Sequence, residues 1–286
     1  MTNKKTFCVM KRFYIAMMCL LAVGMAACND DDDKISAPSA VRTAFDKMYP
    51  EAKLDGWLGW RGYVIADFEL NNEDAQAWYD KSGKWYMTDT EIDYRALPAE
   101  VRTAYQNSAY ATDWNVGDME RLERAEMQTI YILEVWQGRI EIDLYYTTEG
   151  LLAGLQQYGY GDPTWWIPRT VPEAIATYLS TNFEGYQMIQ LFVEGGQSEA
   201  LISHESKAKS VIFNASNAWT STSWSVSESE LPAEVVSTLE GSEYADYIIR
   251  SVEFVSDSSG EWYRFALTNG GRNVVVKISS SGDLIP

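Results

Sequence analysis

The chain has little of what usually carries chemistry: three cysteines and one histidine in 286 residues. Cys8 and Cys19 lie in a leader-like N-terminal segment, so a processed chain keeps only Cys28. That leaves no pair for a disulfide, no thiolate cluster for zinc and no cysteine nucleophile. The lone histidine stands in the polar stretch Ser203-His204-Glu205-Ser206. It reads there as a solvated loop residue rather than the base of a catalytic triad. There is no glycine-rich phosphate loop, and no aspartate spacing fits a calcium loop. Acids are plentiful, and counting alone leaves a glycosidase pair open. Yet Asn72-Glu73-Asp74 and Asp89-Thr90-Glu91-Ile92-Asp93 fall at turns and strand ends. The expectation is a protein with no catalytic residues, no metal and no cofactor. Positive charge is scarce too, with 23 basic against 41 acidic side chains and a formal charge of −18. Nucleic-acid recognition rests on Lys and Arg neutralising phosphate, so nucleic acid is excluded as a partner.

What is present begins at the N-terminus. Lys4, Lys5, Lys11 and Arg12 precede an apolar run at 13–27 that has the length of a signal core and is short for a membrane span. Met10-Lys11-Arg12 by itself already opens a complete signal. Met25-Ala26-Ala27-Cys28 then places small side chains before a cysteine, a pattern that resembles a lipobox with Met25 in place of the commoner leucine. The expected mature chain starts at a lipidated Cys28 and reaches the membrane through that lipid. Several acyl chains anchor firmly where one does not. Asp30, Asp31, Asp32 and Asp33 follow at once. Like charges keep such a run extended. It also resembles the acidic export signal of Bacteroidota surface lipoproteins, which implies the outer membrane and its outer face, with a periplasmic orientation as the alternative.

Internal similarity organises the rest. The stretch 37–45 recurs at 97–105 without a gap. Leu97-Pro98-Ala99-Glu100-Val101 recurs at Leu231-Pro232-Ala233-Glu234-Val235, a shift of 134 that also carries Tyr79, Asp80 and Trp85 onto Phe213, Asn214 and Trp219. Tyr131 and Gly150 match Tyr263 and Gly282 at a shift of 132. Four units result, paired into two domains. The reading is a leader at 1–27, an acidic tether at 28–36, a first domain at 37–154, a linker at 155–170 and a second domain at 171–286.

Each unit opens with a helix. Pro38, Pro98, Pro172 and Pro232 suit the first helical position, and Val41, Ala44, Phe45 and Met48 follow at helical spacing. Strands come next. Val64, Ala66 and Phe68 alternate with Tyr63, Ile65 and Asp67, and Ile140, Ile142, Leu144 and Tyr146 alternate with Glu141, Asp143 and Tyr145. Such alternation means an antiparallel sheet with one face packed and one open. The fold class is therefore α+β, with two tandem domains, each a twisted antiparallel sheet carrying two helices on one face. Periodicity puts Tyr63, Trp78, Trp136 and Tyr145 on the open face, with Glu134, Glu141 and Asp143 near the last two. Aromatics rimmed by charge suggest a binding face. The partner is expected to be another protein, and a glycan is the alternative because tryptophans also stack on sugar rings.

Pro38-x-x-Val41-x-x-Ala44-Phe45, then Gly62-Tyr63-Val64, then Trp78-Tyr79-Asp80-x-x-Gly83-x-Trp85 before Leu97-Pro98 resembles the PepSY-like lipoprotein family of Bacteroides. The likeness is strongest over 37–154. In the second half Gly185-Tyr186-Gln187 replaces Gly-Tyr-Val and Ser206-Lys207-Ala208-Lys209 interrupts the pattern. The resemblance implies a fold similar to β-lactamase inhibitor proteins. It implies a non-enzymatic surface or periplasmic protein that meets other proteins, peptidases or other enzymes among them, on its open sheet.

Overall fold

The computed structural model describes residues 35–157 and 163–285. Cys28, the leader, the acidic run at 30–33 and part of the expected linker lie outside the described residues. Helix α1 (Ser39–Met48) precedes β1 (Lys53–Trp60), β2 (Tyr63–Leu70), β3 (Glu73–Tyr79) and β4 (Trp85–Glu91). Helix α2 (Ala99–Gln106) precedes β5 (Asn115–Arg124), β6 (Ile130–Gln137), β7 (Ile140–Thr147) and β8 (Leu152–Gln157). The order then repeats as α3 (Glu173–Asn182) with β9 (Gln187–Glu194), β10 (Gln197–His204), β11 (Lys207–Phe213) and β12 (Trp219–Ser225). Last come α4 (Ala233–Glu240), β13 (Ile248–Asp257), β14 (Gly260–Asn269), β15 (Arg272–Ser279) and β16 (Leu284–Ile285). Strands β1 to β8 make one eight-stranded sheet in sequence order, and β9 to β16 make another. Every pairing between the strands whose register is given is antiparallel, as hairpin connections require.

The helices are only eight or ten residues long, too short to persist alone in water. Packing holds them, and each docks through two buried residues four apart: Val41 and Phe45, Val101 and Tyr105, Ile175 and Leu179, Val235 and Leu239. Burying two such side chains is worth about 3–6 kcal/mol. Met48, assigned to the same stripe from its spacing, is exposed. The four prolines sit one position earlier than expected, at the N-cap. Each proline carbonyl accepts the first helical N–H, as from Arg42 to Pro38 at 3.1 Å. Leu97, just before one of them, is buried in the core under α2.

Two compact units are distinguished, one through Tyr86 and one from Met87. In the first, Val64, Ala66, Phe68, Ala75, Ala77 and Tyr79 pack under Val41 and Phe45. In the second, three clusters repeat that arrangement under α2, α3 and α4. The turn before β4 is part of the first packing. Gly83 has φ +89°, and a Cβ there would lie 2.7 Å from the Ala40 carbonyl oxygen of α1. At the matching turn of the third unit stands Asn217 with φ 58°, a residue that tolerates this conformation.

His204 is not a solvated loop residue. It ends β10, its side chain is 13% exposed, and its ring meets Phe183 edge-on at 5.5 Å. The interrupting segment folds into a tight turn at Glu205 and Ser206, both with positive φ, and continues as β11. Lys209 of β11 is buried, lies over the rings of Trp224 and Phe183, and donates to His204 Nδ1 at 2.9 Å and to Glu205 at 3.2 Å.

Candidate functional site

On β2 and β3 the residues that turn away from α1 are Tyr63, Ile65, Gln76 and Trp78, because their neighbours Val64, Ala66, Ala77 and Tyr79 fill the core beneath the helix. The side was read correctly for Tyr63 and Trp78. The exposure was not, since Trp78 is only 4% exposed. Its ring is met by Trp60 at 5.7 Å and Tyr63 at 6.0 Å, both roughly edge-on. Tyr63 also meets Tyr86 at 5.5 Å. Trp78 is thus the floor of an aromatic cluster whose half-buried rim is Trp60, Tyr63 and Tyr86. Two cations lie on that rim, Arg61 over Trp60 at 4.6 Å and Lys84 over Tyr86 at 4.9 Å. Burial, then the charge and hydrogen bond of Asp80, push the Tyr86 hydroxyl pKa up. Trp60 and Tyr86 escaped the sequence reading. Trp60 faces Tyr63 directly across the Arg61-Gly62 hairpin, a register that only the turn fixes.

In the second unit, Trp136 and Tyr145 lie on the face of β6 and β7 opposite to Leu133, Val135, Leu144 and Tyr146, which pack under α2. Trp136 is 43% exposed and stands directly opposite Glu141. Glu134 pairs with Asp143 one step along, and carboxylate oxygens of Glu134, Glu141 and Asp143 lie within 4.8 Å of one another. Three acids so placed could share a cation. Such groups are common without one, and beside Trp136 they form an anionic rim.

Tyr145 does not belong to an exposed patch. It is 5% exposed because Trp166 stacks on it at 4.7 Å and 28°. Trp166 in turn meets Phe192 of β9 at 6.1 Å, and Trp165 beside it is 59% exposed. Behind Trp166 lies Arg124, whose guanidinium sits 5.3 Å from the ring. Arg124 is buried, donates to Gln190 Oε1 at 3.3 Å and to the Gln128 carbonyl, and has no ion-pair partner among the described residues. Burial without an acid works against its charge and pushes its pKa down. Trp165-Trp166 is a doublet within the expected linker at 155–170, and nothing local reveals that one of the two covers Tyr145.

Of the four proposed surface residues, then, Tyr63 and Trp136 keep accessible area, while Trp78 and Tyr145 are buried under other aromatics. Among the described residues no helix is long and apolar enough to cross a membrane.

The model of the family described as "Putative beta-lactamase-inhibitor-like, PepSY-like" matches the chain twice, at residues 63–153 and 198–286. Among solved structures, a BLIP-like protein from Bacteroides fragilis is 32% identical, with 49% of this chain and 99% of that one covered and a TM-score of 0.44. A DUF2874 family protein from Bacteroides ovatus is 28% identical, covering 46% and 94%, with a TM-score of 0.43. A protein from Bacteroides eggerthii, described as a "putative periplasmic" protein, is 26% identical, covering 46% and 95%, with a TM-score of 0.43. No curated protein matches the chain. None of these descriptions is that of an enzyme.

Proposed function

This chain belongs to the PepSY-like, β-lactamase-inhibitor-like family, and from that premise we propose that it is a non-enzymatic envelope lipoprotein that holds another protein on the helix-free faces of its sheets. Lipid on Cys28 anchors it, the run Asp30 to Asp33 directs it to the outer membrane, and the module restrains an enzyme such as a peptidase. The two tandem domains at 37–154 and 171–286 present the binding faces.

One observation carries the reading: the helix-free side of the first unit holds Trp60, Tyr63 and Tyr86 over a buried Trp78, with Arg61 and Lys84 lying on the rings. Aromatic side chains and arginine dominate the energetics of protein interfaces. Rings already covered by cations are poorer platforms for a sugar, which favours a protein over a glycan. Trp136 with its three acids offers a second anchor suited to a basic partner.

The test is recovery of partners by the lipidated protein from its own cell envelope, compared with a Trp60→Ala, Tyr63→Ala variant and with Trp136→Ala. The same proteins are assayed against a panel of purified peptidases. Loss of a specific partner in either variant, with inhibition lost in parallel, supports the reading. Equal recovery by all three proteins refutes it, and retention on immobilised glycans that both variants lose moves the site to sugar binding.

A further inference from the structure

The turn between β5 and β6 and the segment at Trp165-Trp166 both bind β5–β8 to β9. We propose that this joint locks β5–β8 and β9–β12 into one rigid body, so that their helix-free faces keep a fixed mutual orientation. The inference stands whatever those faces hold.

One side of the joint is a hairpin end turned to a second use. β5 and β6 pair last through Leu122 and Ile130. In the fourth unit the matching pair, Val255 and Trp262, is followed by Ser256 with Glu261 and Asp257 with Gly260 before the turn. The residues that would close the β5–β6 hairpin tightly go to β9 instead. The Gln128 N–H donates to the Met188 carbonyl at 2.9 Å. The Gln128 side-chain amide donates to Gln187 Oε1 at 2.6 Å and to Ser203 Oγ at 2.9 Å. Met127 packs against the cluster under α3. Arg124, paired on its other side with Met87 of β4, donates to Gln190 Oε1 at 3.3 Å.

The other side is closed by the end of the expected linker. Ile167 is buried, and the Trp166 ring lies between Tyr145 of β7 and Phe192 of β9. Both of those residues point to the helix-free side, because their neighbours Leu144, Tyr146 and Leu191 fill the cores under α2 and α3. Trp166 thus fills the corner where the two helix-free faces meet. Gln190 is fully buried there and uses both ends of its amide: Oε1 accepts from Arg124, and Nε2 donates to the Trp165 carbonyl. Moving the halves apart takes from Gln190 and Arg124 partners that they hold only while the joint is closed. Buried polar groups are kept where such partners exist.

Joined modules move against each other by default unless their interface is extensive. Here only residues 158–164 separate β8 from Trp165. A short connection holds its two ends at an effective concentration on the order of millimolar, so contacts too weak to join separate chains stay closed. The packing of the whole chain agrees. Its division into compact units falls after Tyr86, within the first sheet, and residues on both sides of the expected linker at 155–170 share one unit. A partner that touches both faces meets them already oriented, and no entropy is lost in setting them.

The test is made on the isotope-labelled full chain by residual dipolar couplings in a dilute aligned medium, with amide hydrogen exchange alongside. In the parent, one alignment tensor should fit the amides of β5–β8 and β9–β12 together. In a Gln128→Ala, Trp166→Ala variant, each half should keep couplings that fit its own fold while the two halves need separate tensors. Exchange of the residue-128 amide, which the Met188 carbonyl holds, should speed up about tenfold or more in that variant. The parent measurement decides by itself if either half of the variant unfolds. Two tensors in the parent overturn the proposal. A double variant that keeps one tensor and the parent's exchange rate at residue 128 overturns it as well, because the joint would then not rest on these residues.

Discussion

Trp78 and Trp136 were assigned to one face from strand alternation, and truncating each gives opposite outcomes. Trp78 is 4% exposed and forms the floor of the aromatic cluster. A buried tryptophan removes roughly 150–250 Å² from water. At about 25 cal/mol per Å² that is a ceiling near 4–6 kcal/mol. Truncation in a packed core costs about 3–5 kcal/mol once the cavity is included. Trp78→Ala should therefore lose about 3–5 kcal/mol and loosen Trp60 and Tyr63 with it. Trp136 is 43% exposed, so its loss leaves no closed cavity and should cost no more than about 2 kcal/mol. Urea melts of the full chain, followed by far-ultraviolet circular dichroism with and without each substitution, measure both. Partner recovery should fall for Trp136→Ala while its melt stays close to that of the parent. A Trp78→Ala protein no less stable than Trp136→Ala would refute the assignment of Trp78 to the interior.

Three further outcomes follow from other parts of the fold. Gly83→Ala should cost about 2–5 kcal/mol, combining the left-handed backbone with a Cβ forced against the Ala40 carbonyl. Gly62→Ala, with φ +92° and open space around it, should cost only about 1–2 kcal/mol, and urea midpoints that do not separate the two would deny the tight helix-to-turn contact. Glu230 accepts hydrogen bonds from Lys207 and from the Ser227 N–H and hydroxyl, which hold its carboxyl down to about 2. Because the folded pKa lies below the unfolded one, its contribution is present above about pH 4.5 and is lost as pH falls towards 2. Side-chain carbon chemical shifts during acid titration should show that midpoint, and Lys207→Met should move it up. Arg124→Met should leave the thermal midpoint unchanged or raised, because removing a buried cation without an acid relieves a desolvation cost of several kcal/mol. A loss above about 2 kcal/mol would mean that its bonds to Gln190 and Gln128 outweigh that relief.

The repeat, the helix starts to within one position and the facing of β2, β3, β6 and β7 are legible in the residues alone. Pro38, Pro98, Pro172 and Pro232 mark helices because proline ends one conformation and cannot donate within the next, and the structure differs only by one position. Alternation placed Tyr63, Trp78, Trp136 and Tyr145 away from the helices because successive strand residues point to opposite faces whatever surrounds them. Coverage is different in kind. Trp78 is covered by Trp60 from two strands away and Tyr145 by Trp166 from a distant segment. His204 is sheltered by Lys209 from the next strand of its hairpin and by Phe183, which reaches it only because α3 packs on its sheet. Local stereochemistry sets which way each side chain points, while what lies in front of it depends on segments brought together by folding.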